Sequence, residues 1–429
     1  MSALANDCFA TGGEMMRLLD AIALIETQLA AVTGTESVPL GEARRRILAE
    51  DIVAGRDVPP ADNAAVDGFA FYFDDLKPEG DTLLPVAGRV AAGRPLGHSP
   101  ARGEAYRIFT GAPLPAADDG TGPDTVIMQE DCAVIGGLLR VPAGIARGTN
   151  ARKRGEDVAT GATVLCGGRR LQPPDIGLAG SLGLATLRVR KKLRVAVFST
   201  GDEVRDPGGS EDLPSGAIYD SNRYGLIALL QGLACDITDL GILPDDMKTI
   251  RDALAAAAPG HDVLITSGGV STGEEDHVRT ALESLGSLHF WRVAIKPGRP
   301  IAFGRIANGG HDTVFIGLPG NPVAVMVTFL RLARVAILRL SGATATTPHL
   351  FRVAVDFAHK KKRERTEWIR VRLERDATGG LVARKHPKDG SGILTSIAES
   401  DGLIELGDAV REVKPGDLAD FLPFSEVMD

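Results

Sequence analysis

Two patterns of hydrophobicity divide the chain. Between residues 191 and 344, short apolar runs such as Val195–Phe198, Val263–Ile265 and Val314–Leu318 have the length and composition of buried parallel strands. Segments with helical spacing separate these runs, and a long apolar helix is expected over residues 323–340. Alternating strands and helices predict a three-layer α/β domain, in which ligands bind at the carboxyl ends of the strands.

The flanking segments have other periods. Residues 14–31 carry apolar side chains at helical spacing, whereas residues 55–151 contain short apolar runs that Gly and Pro interrupt. Beyond Pro348 the chain again shows short runs typical of strands. We therefore expect a multidomain α/β plus β protein with four parts: a discontinuous N-terminal helical and linking domain (14–54 and 152–190), a small β domain inserted in it (55–151), the central α/β domain (191–344) and a C-terminal β domain (345–429).

Composition narrows the classes of function. The 429 residues have a net charge of −8, which argues against a nucleic-acid partner, because such a partner requires clustered positive charge. No apolar run approaches the ~20 residues of a membrane span, and the N-terminus lacks the features of a signal peptide. The four cysteines and eight histidines are scattered, which favours a reducing cytoplasm and disfavours a transition-metal site.

The strongest candidate for chemistry is the segment 266–276, TSGGVSTGEED. Its first eight residues contain three glycines and four hydroxyl side chains, between an expected strand and an expected helix. Backbone N–H groups in such a turn can approach an anion closely, and the helix N-terminus favours negative charge. The acids that follow, Glu274 to Asp276, would repel a phosphate unless a hard cation such as Mg²⁺ bridged them.

Two cations follow in the turn KPGRP, at Lys296 and Arg299, after an expected strand over residues 290–295. Together with the glycine-rich segment they predict a site for a phosphorylated or oxyanionic ligand. Four loops should meet at the carboxyl edge of the sheet (199–203, 243–246, 266–276 and 317–322), and acids occur in three of them. This coincidence favours a metal-assisted site. An ordinary βα loop and a charged turn remain the alternative.

Two other polar stretches have structural interpretations. Asp67 and Thr110 fall in segments rich in turn-forming residues, so turn capping is the simpler role for both. Residues 359–365, HKKKRER, lie between two expected strands, and we interpret most of their charges as an exposed hairpin tip.

Nine stretches distributed over nearly the whole chain resemble the molybdopterin molybdenumtransferases, the MoeA and gephyrin E-domain family, and they occur in the family's order. They are DNAAVDGFA (62–70), RIFTGAPLP (107–115), ARKRGED (151–157), STGDE (199–203), IYDSNR (218–223), TSGGVSTGEED (266–276), AIKPGRP (294–300), GLPGNPVA (317–324) and GSGILTSIAESDGL (390–403). The resemblance implies a central domain like other molybdopterin-binding domains and a barrel-like C-terminal domain. It also implies an elongated homodimer with the cleft between the α/β domain of one subunit and the C-terminal domain of the other.

The implied reaction is the Mg²⁺-dependent insertion of molybdate into adenylylated molybdopterin, with release of AMP. The resemblance assigns Mg²⁺ to Glu203, Asp245 and Asp276, and molybdate to Lys296 and Arg299, helped across the dimer by Arg370, Ser391 and Ser396. Cofactor contacts are implied for Ser267, Gly268, Gly269, Ser271, Gly273, Pro319, Gly320, Asn321 and Pro322. Asp67, Thr110, Arg152 and Asp157 match family positions expected to orient the pterin or the metal transfer. Other cofactor-synthesis proteins and apo-molybdoenzymes are implied as further partners.

The sequence departs from the family at Ala324, where serine is frequent, and at Arg299, where lysine is common. Two other functions stay open at this stage. The α/β part also resembles molybdopterin adenylyltransferases, which would make the adenylylated pterin rather than consume it. A non-catalytic scaffold or pterin-binding protein is the second alternative. Tungstate instead of molybdate is equally compatible with the sequence.

Overall fold

A computed structural model describes residues 15–208, 213–269, 277–298, 300–308 and 312–428. The chain forms two compact units. The larger unit comprises Met1–Ala49, Gly167–Gln172 and Leu187–Asp429, and the smaller unit comprises Glu50–Cys166 and Pro173–Thr186. The finer division into four domains remains a prediction. The segment 1–13, which carries no expected element, lies outside the described residues.

A six-stranded sheet forms the centre of the larger unit. Four neighbouring strands are parallel and two antiparallel strands complete the sheet, in the order Asp236–Leu243, Arg194–Thr200, Val263–Ser267, Thr313–Leu318, Pro300–Ile306 and Gly286–Arg292. The register pairs Thr200 with Leu243 and Ser267 with both Ser199 and Leu318. The four parallel strands therefore end at the same edge, as the α/β interpretation requires.

Helices cover both faces of this sheet. Leu18–Gln28, Asn222–Gly232 and the long helix that begins at Pro322 pack with Val195 and Val197 on one face. On the other face, Met247–Ala257 and His277–Leu285 pack with Ala196 and Phe198. Because side chains alternate along a strand, burial on both faces explains the continuous apolar runs in the sequence. The three-layer prediction is confirmed.

The long helix consists of Pro322–Thr328, a π-helical turn at Phe329–Ala333 and Arg334–Leu340. It begins with a proline at its first position, where the missing N–H costs no helical hydrogen bond. Arg331, within the π turn, pairs with Glu405 at 2.9 Å between Nε and Oε2. The indole Nε1 of Trp368 donates to the same carboxylate at 2.7 Å. This buried network joins the helix to the C-terminal strands.

A closed five-stranded barrel follows the α/β part. Its strands are Phe351–Val355, Thr366–Arg375, Leu381–Lys385, Gly402–Leu406 and Leu418–Pro423. The barrel closes because the strand Thr366–Arg375 pairs both with Leu381–Lys385 and with Gly402–Leu406. The barrel-like expectation is confirmed.

One predicted strand is wrong in a way that matters for the site. The sequence suggested a single strand over 290–295, but Gly286–Arg292 belongs to the central sheet and Ile295–Lys296 pairs with Thr366–Glu367 at the barrel. Alternation of apolar residues continues through both pieces, so the local pattern cannot show where the chain changes sheets. This change brings Lys296 to the barrel.

The smaller unit contains a second six-stranded sheet, which agrees with the β structure expected over residues 55–151. Its strands follow the order Thr125–Met128, Gly68–Phe71, Ala105–Ile108, Thr82–Val90, Leu138–Val141 and Ala133–Ile135. The helix Pro173–Ser181 belongs to the same unit.

Short elements complete the chain. The paired short strands are Thr35–Pro39 with Thr186–Arg190, Ile52–Val53 with Thr163–Leu165, Asn63–Ala64 with Ala151–Arg152, Val204–Arg205 with Ile218–Tyr219, and His359–Lys360 with Glu412–Val413. The short helices are Leu40–Glu42, Phe73–Asp75, Gln129–Asp131, Ala258–Gly260, Thr395–Ala398 and Phe424–Val427. The first helix is shorter than the predicted 14–31, because Met16 forms a β-bridge with Val293 instead. Within the described ranges, no helix is both long and apolar enough to cross a membrane.

Candidate functional site

The glycine-rich turn after Val263–Ser267 has the backbone that an anion cradle requires. Gly268 and Gly269 have φ angles of +85° and +63°, in the left-handed region. A Cβ on Gly269 would lie 2.6 Å from the Thr200 side chain and 2.8 Å from that of Val278. Only glycine fits this second position. The remaining predicted cradle residues Ser271 and Gly273 lie outside the described residues, as do Asp276 and Arg299.

A cavity of about 570 Å³ opens beside this turn, wholly within the larger unit. It collects eight of the residues singled out from the sequence: Gly268, Gly269, Lys296, Pro319, Gly320, Asn321, Arg370 and Ser391. Arg370 and Ser391, which the family resemblance assigns to a partner subunit, line this cavity from the same chain as the glycine turn. Ala324 also lines it, so the residue that departs from the family lies at the site.

Hydrogen bonds to neighbouring loops fix the part of the cavity wall where the helix Pro322–Thr328 begins. Asn321 precedes the helix, and the N–H of Val323 donates to the carbonyl of Ser391 at 3.0 Å. The Nδ2 group of Asn222 donates to the Gly320 carbonyl at 2.7 Å. Pro322 therefore contributes by starting the helix and does not line the cavity itself. The sheet and the barrel are fixed to each other at this point.

Ser396 does not belong to the cavity wall. Its side chain is fully buried, and its Oγ donates to the carbonyl of Ile393 at 2.6 Å. The predicted contact with the oxyanion is therefore wrong for this residue. Its hydroxyl stabilises the turn at the start of the helix Thr395–Ala398.

Arg370 has the properties of an anion-binding side chain. It is 6% exposed, and its Nη2 donates to the Lys388 carbonyl at 3.0 Å. Its Nε is buried and has no hydrogen-bond partner among the described residues. Burial lowers the pKa of this guanidinium, and the nearby charge of Asp389 opposes that shift. A buried cation with an unused donor on a cavity wall favours binding of an anion.

A second group of charges surrounds Glu367, which is 2% exposed. The carboxylate accepts from Nε2 of His359 at 3.1 Å and from Nε of Arg365 at 2.7 Å. Nζ of Lys296 lies 3.5 Å away. Burial raises the pKa of Glu367, but the hydrogen bonds from His359 and Arg365 and the charges of Lys296 and Arg365 outweigh it and lower the pKa overall.

His359 and Arg365 are site residues that the sequence interpretation missed. We expected the charges of 359–365 to form an exposed hairpin tip, but both side chains line the cavity. One signal was available: Glu367 directly precedes the apolar residues Trp368 and Ile369 in its strand, and a buried carboxylate requires cationic partners. The basic residues just before it were the nearest candidates in the sequence.

Two of the three expected Mg²⁺ ligands are described. Glu203 and Asp245 follow the adjacent parallel strands Arg194–Thr200 and Asp236–Leu243. Neither carboxylate has a hydrogen-bond or ion-pair partner within the described ranges, and both supply the oxygen ligands that Mg²⁺ prefers. No group of three His, Cys, Asp or Glu side chains in the described part of the chain is placed to bind a metal.

Buried hydroxyls mark the same edge of the sheet. Ser199, Thr200 and Thr266 are buried there, and their hydroxyl oxygens have no partner in the part of the chain that the structure describes. Buried polar groups normally form hydrogen bonds, so this edge has unused hydrogen-bonding capacity. The donor chemistry of the edge fits a hydrated Mg²⁺ ion together with a phosphorylated ligand.

The other candidate residues lie in the smaller unit. Asp67 Oδ1 accepts from the N–H and the hydroxyl of Thr110 at 2.8 and 2.7 Å. These two bonds, the N–H first, lower the pKa of Asp67. Arg152 and Asp157 are exposed, and their side chains have no partner among the described residues. The turn-capping role of Asp67 is therefore present, whereas Arg152 and Asp157 remain available for a ligand.

Replacing Thr110 by valine should raise the pKa of Asp67 partway to its ordinary value. The variant keeps the backbone donor and loses the hydroxyl. Because the native pKa is lowered, the stability that Asp67 contributes exists above its unfolded pKa and disappears as the pH falls through the folded pKa. Carboxyl NMR titration measures the shift. Thr121→Val, which removes the same type of bond to Asp119, is the control and should leave Asp67 unchanged.

Families and individual proteins that resemble this chain are already known. Three family models match the chain: the MoeA N-terminal region (domain I and II) at residues 16–183, a probable molybdopterin binding domain at 196–339, and the MoeA C-terminal region (domain IV) at 352–424. A molybdopterin molybdenumtransferase of Haemophilus influenzae is 37% identical over 96% of this chain and 100% of its own length. This chain belongs to the molybdopterin molybdenumtransferase family.

Other relatives agree with this assignment. Molybdopterin molybdenumtransferase 2 of Mycobacterium tuberculosis is 34% identical over 89% of this chain and 93% of its own length. The crystal structure of the molybdopterin biosynthesis moeA protein from Pyrococcus horikoshii matches with a TM-score of 0.79 and 28% identity, over 95% of this chain and 99% of that one. The family resemblance and the multidomain fold inferred from the sequence are thereby confirmed. Molybdopterin molybdenumtransferases are transferases.

Proposed function

We propose that this chain inserts molybdenum into molybdopterin, with molybdate and adenylylated molybdopterin as substrates and AMP as a product. One observation carries the proposal: the glycine turn at Gly268 and Gly269 and the cations Lys296 and Arg370 line a single cavity. A phosphate and a second oxyanion can therefore bind next to each other. The names of the relatives support molybdenum transfer as the reaction class.

The residues of the cavity supply binding and orientation. Backbone N–H groups of the glycine turn bind the adenylyl phosphate, and Lys296 and Arg370 attract molybdate. An oxygen of water or of molybdate attacks the adenylyl phosphorus, and the bond to the pterin phosphate breaks. If water attacks, AMP leaves with that oxygen, and the two pterin thiols then replace one oxygen of molybdate, which takes up their two protons and leaves as water. If molybdate attacks, the shared oxygen stays with AMP when the two pterin sulfurs displace it from molybdenum, and the thiol protons are released. No protein nucleophile is needed.

Glu203 and Asp245, with Asp276 as the expected third ligand, would hold Mg²⁺. When bound there, the ion supplies positive charge against the negative charge that develops on the phosphates. The unpartnered carboxylates and hydroxyls at this edge support the assignment. Of the three expected ligands, Glu203 and Asp245 follow the ends of adjacent parallel strands.

Glu203→Gln and Asp245→Asn should each raise the Mg²⁺ concentration for half-maximal AMP release by at least about tenfold, since even outer ligands of a metal are worth about 10–100-fold. The neighbouring variant Asp246→Asn is the matched control. Its carboxylate accepts from the N–H of Thr249 at 2.8 Å and caps a helix, a role that asparagine retains. An equal Mg²⁺ requirement in all three variants would remove the assignment.

The proposed function is tested by AMP release from adenylylated molybdopterin in the presence of Mg²⁺, with and without molybdate. Release that molybdate stimulates is expected. Formation of adenylylated pterin from ATP and pterin would instead identify an adenylyltransferase. Pterin that binds and is never cleaved would identify a carrier or scaffold.

We also propose a homodimer in the cytoplasm as the working form, with other cofactor-synthesis proteins and apo-molybdoenzymes as partners. The described thiols of Cys132, Cys166 and Cys235 are free, which is compatible with a reducing compartment. Asp67, Thr110, Arg152 and Asp157 are proposed to orient the pterin. Tungstate should compete with molybdate, since both are tetrahedral dianions of almost equal size.

A further inference from the structure

The wall of the cavity contains one carboxylate that three basic side chains share. Glu367 contacts His359, Arg365 and Lys296, each within 3.5 Å of a carboxylate oxygen. His359 and Arg365 belong to the segment 359–365 and Lys296 to the turn that follows the central sheet, and all three line the cavity. A buried carboxylate therefore holds three cationic or protonatable groups at one place.

The basic groups retain unused hydrogen-bonding atoms. Arg365 donates to Glu367 through Nε and Nη2, and His359 contacts it through Nε2. The Nη1 of Arg365 and the Nδ1 of His359 have no partner among the described residues. Both side chains are mostly buried, with 16% and 17% of their surface exposed. Partly desolvated donors of this kind bind anions more strongly than exposed ones.

The charge of the cavity also favours an anion beyond Glu367. Four cations line it, Lys296, Arg365, Arg370 and Lys385, against the two carboxylates Glu367 and Asp389. Lys385 and Asp389 pair with each other at 2.8 Å. With that pair set aside, the three cations Lys296, Arg365 and Arg370 face the single carboxylate Glu367, so positive charge is in excess.

We propose that Arg365 and His359, positioned by Glu367, form with Lys296 a subsite for a tetrahedral dianion. The proposal rests on the proposed function and names the binding chemistry of the same cavity. The dianion is molybdate or the phosphate of the pterin.

Calorimetric titration with molybdate tests the subsite. Arg365→Gln should weaken molybdate binding about 10- to 100-fold, and His359→Gln should weaken it as well. Arg365→Lys should recover part of the loss seen in Arg365→Gln, since it keeps the charge without the planar fork. Unchanged affinity in Arg365→Gln overturns the subsite.

Lys360→Gln is the matched control, because it removes a positive charge next to His359 from an exposed residue that does not line the cavity. Its affinity should change less than about twofold, as expected for a screened surface charge. If Lys360→Gln lost as much molybdate affinity as Arg365→Gln, the effect would come from the overall positive charge and not from a specific contact. That result would contradict the subsite. The circular dichroism spectrum and melting temperature of each variant establish that it is folded.

Titration with inorganic phosphate distinguishes the two sources of the dianion. If Arg365→Gln weakens only molybdate, the subsite binds the metal oxyanion; if it weakens only phosphate, the subsite binds the pterin phosphate. Both results support a dianion subsite, and neither anion being affected overturns it. The insertase proposal fails separately, when wild-type protein shows no molybdate-stimulated AMP release although these titrations give the expected losses.

Discussion

Replacing Lys296 by alanine should raise the molybdate concentration for half-maximal AMP release by about 10- to 100-fold, with little change in pterin binding. A charge-assisted hydrogen bond is worth about 1.5–3 kcal/mol, which corresponds to this range. The side chain is 56% exposed, so solvent screening places the effect nearer the lower end. The loss also leaves Glu367 with one cation fewer beside the oxyanion.

The measurement is the dependence of initial AMP release on molybdate, together with the affinity for the adenylylated pterin. Lys296→Arg should retain most activity if charge alone matters, and Lys360→Gln is again the control for an exposed cation in the same unit. An equal loss in pterin affinity would show that Lys296 binds the pterin phosphate.

The second large effect concerns stability. Glu405→Leu should lower the free energy of unfolding by about 3–5 kcal/mol, because it leaves the buried Arg331 without a counter-charge. Arg331 and Glu405 side chains are 5% and 10% exposed. The indole of Trp368 also loses its acceptor. Trp368 lines the cavity, so weaker molybdate binding should accompany the loss of stability.

Thermal and urea unfolding measure this effect. The double variant Arg331→Met/Glu405→Leu should recover most of the stability, since it replaces both charges with apolar groups. Asp420→Asn, which breaks the exposed pair with Arg352 in the same barrel, should cost less than about 1 kcal/mol. A single variant Glu405→Leu as stable as Asp420→Asn would contradict the role of the buried pair.

Local patterns in the sequence were sufficient for most of the elements and for part of the site. Strands buried on both faces give continuous apolar runs, and parallel neighbours place their carboxyl ends at the same edge. Gly268, Gly269 and the residues 319–321 could therefore be assigned together, and the structure places them in one cavity. Lys296 was predicted as a site residue from its charge in a turn, but its partner Glu367 was not predicted.

The missing information concerns burial and contacts between distant segments. His359 and Arg365 were interpreted as surface charge, although Glu367 follows closely in the sequence, because no local pattern shows that this carboxylate is buried. The family resemblance placed Arg370 and Ser391 across a dimer, and nothing local in the sequence shows that Ile295–Lys296 pairs with a barrel strand of its own chain. The burial of Ser396 has the same origin, since its hydroxyl belongs to a turn that only the packed barrel defines.

At position 324 this chain has alanine, where serine is frequent in the family. It lies on the cavity wall, and a Cβ added at Gly298 would lie 3.3 Å from the Ala324 Cβ. The turn that carries Lys296 is therefore packed closely against residue 324. Because alanine lacks the hydroxyl group of serine, residue 324 does not contribute a side-chain hydrogen bond to the oxyanion. The cations of the cavity then bind it.

The central claim is that molybdenum reaches the pterin as AMP leaves. A single turnover of wild-type protein with adenylylated molybdopterin, Mg²⁺ and molybdate should give one molybdenum atom bound to pterin for each AMP released, measured by elemental analysis and chromatography of the separated product. AMP released without molybdenum on the pterin would contradict the account, because cleavage would then be simple hydrolysis.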